Sequence, residues 1–235
     1  MKKLGFIDLE TLPGGTLETF TSDKTHPKNF KDQKKIDEWY KEQEENKEED
    51  YKKGSVDTNN ARILTLGLAI DERDPYIFYN PQEDEIKLLE ELQEYIFDNI
   101  KTEISSQKTL YHDFSFVGHN IKNFDLKIIL VKCFKHPERL KRLGQLVYSA
   151  RQRYSNVAYD TMEIWTGGTG MQNLISMDTI CRALNIEGKG DFDGSMVYDT
   201  WKNGEIEKII SYQRDDVICV RKIFNQIRDI INVST

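Results

Sequence analysis

The 235-residue chain is poor in cysteine, proline and histidine, with three, five and four of each. Cys133, Cys181 and Cys219 are odd in number and far apart, so they supply neither a disulfide framework nor a C-x-x-C zinc pair. Such usage fits a reducing compartment. No run of 18 apolar residues occurs, which excludes a membrane-spanning helix. The apolar stretch after Lys2 and Lys3 ends at Asp8, too short for a signal-peptide core. A cytoplasmic protein without membrane association is expected. Positive charge is also in deficit, since 33 Lys and Arg against 40 Asp and Glu leave a net −7. That balance argues against a protein that wraps duplex DNA non-specifically. It still admits an enzyme that holds nucleic acid through cations, because carboxylate-bound ions invert the local charge. What is present is 38% hydrophobic and 11% aromatic residues, enough for a substantial core.

Residues 3–9 read as a strand apolar on both faces, which places it in the middle of a covered sheet. Pro13-Gly14-Gly15 marks a turn. Residues 19–60 then change character. Between 31 and 53 stand seven lysines and nine acids, with Ile36, Trp39, Tyr40 and Tyr51 as the bulky apolar side chains. This reads as a solvated insertion, helical around 32–49, within a single domain over 1–235. Strands follow at 62–70 and 76–79, joined across Asp71–Pro75. Residues 83–100 have helical apolar spacing. A strand at 109–117 leads through Gly118 into a helix at 124–134, with Asn123 as its expected cap. A short strand at 157–159 and helices near 172–184, 195–203 and 205–231 complete the chain. The order predicts an α/β fold with a mixed β-sheet.

Acids then stand where acids are costly. Asp8 and Glu10 are two apart at the end of the first strand and so project from one face. Charges there cost several kcal/mol unless paired or bound to a cation. D-x-E alone is also the sequence of an ordinary solvated strand end. Asp125 falls in the first turn of its helix, a place the helix dipole explains equally well. Gly118-His119-Asn120 before it are small and polar at the carboxyl end of a strand, where α/β sheets build sites. Tyr212 and Asp216 are four apart and share a helix face with Ile209, Val220 and Ile223. Asp215 points elsewhere and reads as solvated. Three remote elements thus deliver four inward carboxylates, hard oxygen ligands suited to Mg²⁺ or Mn²⁺. Two such ions can hold the attacking and leaving oxygens of a phosphodiester in line.

These motifs resemble the DEDD superfamily of 3′–5′ exonucleases in its tyrosine-bearing branch. Asp8-Leu9-Glu10 matches its D-x-E, Asn120 to Phe124-Asp125 its N-x-x-x-F-D, and Tyr212 to Asp216 its Y-x-x-x-D. Residues 191–201 with Gly204-Glu205 are similar to stand-alone relatives of the proofreading domain of family B DNA polymerases. The resemblance covers roughly 1–18 and 61–229, and 19–60 departs from it. It implies a ribonuclease-H-like fold, a mixed sheet flanked by helices. It also implies two Mg²⁺ or Mn²⁺ ions, with Asp8 bridging, Glu10 and Asp216 completing one site, and Asp125 holding the second through water. Tyr212 would position the attacking water. The substrates implied are single-stranded DNA or RNA 3′ ends, DNA favoured, cleaved to nucleoside 5′-monophosphates, with replication or repair proteins as associates. Leu9, Thr11, His119, Asn120 and Phe124 are candidate substrate contacts, with core packing open for Phe124 and a satisfied histidine open for His119. Lys189, between Gly188 and Gly190, is either a phosphate contact or an exposed loop lysine. Thr166–Gly170 reads as a loop that matches no phosphate-binding pattern. Two rivals stand beside this reading: a ribonuclease-H-like endonuclease, and a non-catalytic nucleic-acid-binding or polymerase accessory module.

Overall fold

The computed structural model describes residues 2–21, 24–100, 114–152, 158–167, 174–187 and 190–231. They fall into two compact units, one of Met1–Glu10 with Ile63–Thr235 and one of Thr11–Arg62. The chain runs β1 (Lys3–Leu12), α1 (Gln33–Glu45), α2 (Lys47–Lys52), β2 (Arg62–Ile70), β3 (Tyr76–Tyr79) and α3 (Glu85–Ile100). It continues through β4 (Phe114–Gly118), α4 (Asp125–Lys135), α5 (Lys141–Ala150), β5 (Ala158–Asp160) and α6 (Thr161–Thr166). α7 (Met177–Ala183), α8 (Val197–Lys202) and α9 (Ile206–Ile227) end it.

The larger unit is built on a five-stranded sheet ordered β3-β2-β1-β4-β5. β2 and β3 are antiparallel, whereas β1, β4 and β5 run parallel with Phe6 opposite Val117 and Gly118 opposite Asp160. The end of β2 lies beside the start of β1, where Asp71 N–H donates to Leu4 O at 2.8 Å. The sheet is therefore mixed, as expected. β1 is central, and its two apolar faces meet two layers. Leu4 and Phe6 join Val217, Val220, Ile223 and Phe224 of α9 and Ile180 of α7 in one buried cluster. The edge of the Phe6 ring meets Phe224 with centroids 6.0 Å apart. Glycine allows the close approaches: a Cβ on Gly67 of β2 would stand 2.7 Å from Val217 Cγ2, and one on Gly5 would strike the Phe114 ring.

The smaller unit departs from the expected continuous helix over 32–49. Asn46 ends α1 with a non-helical backbone, and α2 restarts at Lys47. Tyr51 is its buried aromatic and donates its hydroxyl to Gly15 O at 2.8 Å. Other differences have local causes. Asn123 does not cap α4: Phe124 occupies the N-cap with no side-chain hydrogen bond, because left-handed Asn120 lets its own carbonyl accept from Asn123 and Phe124 N–H. The helix expected at 172–184 runs only from Met177, where Ser176 caps it, and 172–173 lie outside the described residues. The helix expected at 195–203 opens with a 3₁₀ turn, Gly194–Met196. α5 and α6 were not expected. Of the strand read at 109–117, residues 109–113 lie outside the described residues, as do Val157, Gly168–Gly170 and Lys189.

Candidate functional site

Parallel pairing of β1, β4 and β5 brings their carboxyl ends to one edge of the sheet. β1 there carries Asp8 and Glu10 on the same face as Leu4 and Phe6, the face covered by α9. α9 presents Tyr212 and Asp216 one turn apart on its buried stripe, while Asp215 is exposed. The result is a cluster that no local sequence forms alone. Asp8, Glu10 and Asp216 each offer a carboxylate oxygen, and these oxygens lie within 4.8 Å of one another. Glu10 and Asp216 are buried and Asp8 is partly exposed.

Tyr212 closes the cluster. Its hydroxyl donates to Asp216, and burial followed by the charges of Asp216, Glu10 and Asp8 pushes the phenol well above its usual range. The Phe192 ring packs against it, centroids 4.8 Å apart. Next along the helix, the fully buried Gln213 donates through Nε2 to Asp8 O at 2.9 Å and toward Asp8 Oδ2 at 3.5 Å. It fastens β1 to α9 beside the carboxylates.

Asp125 sits at the start of α4, outside the group of three. Burial, with the charge of Asp160 adding to it, pushes its carboxyl up to about 8, while N–H groups of Asp125 itself and Leu9 pull the other way. Its buried Oδ1 has no hydrogen-bond partner among the described residues. An orphaned carboxyl oxygen and three converging acids form a donor set that suits hard divalent cations.

The remaining candidates divide. Leu9 is buried and its N–H faces Asp125. Thr11 belongs to the smaller unit and donates its hydroxyl to Ser55 O at 2.7 Å. Phe124 is half-buried at the head of α4. Both ring nitrogens of His119 are engaged, Nδ1 with Thr161 Oγ1 at 3.0 Å and Nε2 with Ile175 O at 2.8 Å, so the histidine ties β4 to α6 and the approach to α7. Asn120 is left-handed with φ 56°, and its N–H donates to Asp160 Oδ1 at 2.9 Å. Lys189 lies outside the described residues.

Asp160, Gln213 and Phe192 were not foreseen. Asp160 is 1% exposed and accepts backbone N–H bonds from Asn120, Lys122, Met162 and Glu163. Asp160-x-x-Glu163 is a capping-box pattern before a helix, and that signal locates it. Gln213 lies on the buried stripe of α9, four residues from Ile209 and from Val217, a polar residue on an apolar face whose partner the sequence does not name. Phe192 stands in the 191–201 stretch that carries the resemblance, but nothing there points it to Tyr212.

A family described as a predicted 3′–5′ exonuclease related to the exonuclease domain of PolB matches residues 106–230, more than half of the chain. The match includes Asp125, Tyr212 and Asp216 and begins after Asp8 and Glu10. No curated protein matches the chain. Among solved structures, a family B DNA polymerase from the hyperthermophilic archaeon Pyrobaculum calidifontis is similar, with a TM-score of 0.54 and 12% identity. The similarity covers 97% of this chain and 24% of the polymerase. It shows the fold, a ribonuclease-H-like mixed sheet flanked by helices.

Proposed function

Because the chain belongs to the family of predicted 3′–5′ exonucleases related to the exonuclease domain of PolB, we propose that it removes nucleotides from the 3′ ends of single-stranded nucleic acid, preferentially DNA, as nucleoside 5′-monophosphates. The observation that carries this reading is the convergence of Asp8, Glu10 and Asp216 under the Tyr212 hydroxyl. Two Mg²⁺ or Mn²⁺ ions, when bound, supply charge neutralisation and a water of lowered pKa. Asp8, Glu10 and Asp216 would hold one ion, with Asp8 shared to the second and Asp125 helping to retain it. A carboxyl that burial keeps protonated near neutral pH, as in Asp125, is one that a cation would ionise.

The chain's own residues do the positioning. Tyr212 keeps its proton and so is not a base; its one O–H, given to Asp216 here, would turn to the attacking water once a cation takes up that carboxylate, and would align it. Gln213 fixes the backbone and carboxylate of Asp8. Alignment and charge stabilisation account for most of the rate in such phosphoryl transfer. The test uses a 5′-labelled single strand with Mn²⁺. Stepwise shortening from the 3′ end, stopped by a blocked 3′ hydroxyl and by excess chelator, is the expected result. Cleavage of circular single strands, or undiminished activity in chelator, would overturn the reading.

A further inference from the structure

Between Thr25 and Ile36 stand Lys28, Lys31, Lys34 and Lys35 against a single acid, Asp32, in a chain of net charge −7. Asp32 is committed to capping, its carboxylate accepting from Lys34 N–H at 2.9 Å. All four lysines are exposed. The helix they lead into, α1, is charged against its own dipole. Lys34 and Lys35 stand in its first turn and Glu42, Glu44 and Glu45 toward its end, with no acid in the first turn and no base in the last. Each such charge weakens a helix terminus. The Lys34–Glu38 and Lys41–Glu45 pairs also run in the weaker order, lysine before glutamate, and are exposed at 4.0 and 3.9 Å. Burial does not compensate, because α1 has no buried residue.

Beside Ile36, its apolar positions are the aromatic Trp39 and Tyr40. Tyr40 is 48% exposed, Trp39 meets it edge to face at 5.0 Å, and the His26 ring closes on Tyr40 at 6.0 Å. A helix that breaks its local rules this consistently is shaped by something other than its own stability. Exposed lysines followed along the chain by the half-buried Trp39 and the exposed Tyr40 match the two recognition elements of single strands, phosphates and base faces.

We infer that Lys28, Lys31, Lys34 and Lys35, with Trp39 and Tyr40, form a docking surface for single-stranded nucleic acid. The lysines take the phosphodiester backbone and the aromatic rings stack on bases. The choice of ligand rests on the nuclease reading above, but binding here is separable from hydrolysis at the carboxylates.

The experiment measures anisotropy of fluorescein-labelled (dT)₂₀ with the full chain in EDTA, where hydrolysis is absent. Lys34→Glu combined with Lys35→Glu is expected to weaken binding at least tenfold. Its log-affinity against log-salt slope should flatten by about 1.4, two phosphate contacts at ~0.7 each. Its melting midpoint should hold or rise, because acids then face the helix N-terminus, so lost binding cannot be lost folding. Trp39→Ala should weaken binding by about tenfold with little change in slope. Wild-type affinity in both variants, or no binding by the wild-type chain, would overturn the inference; so would binding to an acidic protein that (dT)₂₀ fails to displace. Hydrolysis of the p-nitrophenyl ester of thymidine 5′-monophosphate by the wild-type chain with Mn²⁺ reads the catalytic proposal separately. Its absence would sink the nuclease reading while leaving the binding result intact.

Discussion

Three carboxylates and desolvation act together on the Tyr212 hydroxyl, and every one of those influences favours the protonated phenol. A phenol's ordinary pKa near 10 already keeps its proton at neutral pH, and orientation rather than proton abstraction is the role proposed for this residue. Tyr212→Phe is expected to lower the single-turnover rate by about 10²-fold, the cost of losing one positioned donor. Mn²⁺ affinity should stay near that of the wild type, since phenylalanine removes no metal ligand. Rapid-quench rates paired with calorimetric Mn²⁺ titration check both halves. Equal rates would mean that the ring, packed against Phe192, matters only as core. At this scale D-x-E and Y-x-x-x-D were legible because fixed spacings put both members of each pair on one face. Gln213 was not, since its partner is the backbone of a residue 205 positions away.

Asp160 shows what an element needs beyond its own residues. Burial raises its carboxyl pKa, and the N–H groups of Lys122, Glu163 and Asn120 offset part of that. Through those bonds one side chain starts α6 and also fastens the 119–123 turn from which α4 and Asp125 depart. Asp160→Ala strands one buried and three part-buried N–H donors and removes a cap, an expected loss of about 2–4 kcal/mol in urea unfolding. The proposed exonuclease activity should fall further than stability explains, because Asp125 loses its fixed starting point. A change under about 0.5 kcal/mol would show that the turn holds itself. The helices at 85–100 and 206–227 were readable from apolar spacing. α6, at six residues, is too short to show a helical period, whereas α5 does carry one, with Leu143, Leu146, Val147 and Ala150 at helical spacing.

For the whole molecule, bringing Asp8, Glu10 and Asp216 within 4.8 Å is a repulsive arrangement that a cation would relieve. Mn²⁺ at about 100 times its Kd should therefore stabilise the chain by about 2.7 kcal/mol, a rise of roughly 5–10 °C in midpoint for a protein of this size. Asp8→Ala should melt no lower than the wild type in chelator and lose most of the Mn²⁺-induced rise, both measurable by scanning calorimetry. A full Mn²⁺ response in that variant would remove Asp8 from the ligand set. The sequence by itself determined the alternation of elements, the buried central strand and the positions of the acids, because periodicity and capping act over a few residues. Tertiary structure alone decided which acids meet: parallel pairing of β1 with β4 and the seating of α9 across glycine at position 67 join residues some 200 positions apart. It also decided that His119 is spent on Thr161 and Ile175 and that Asp125 stands outside the group of three, since those outcomes depend on long-range packing that no local pattern encodes.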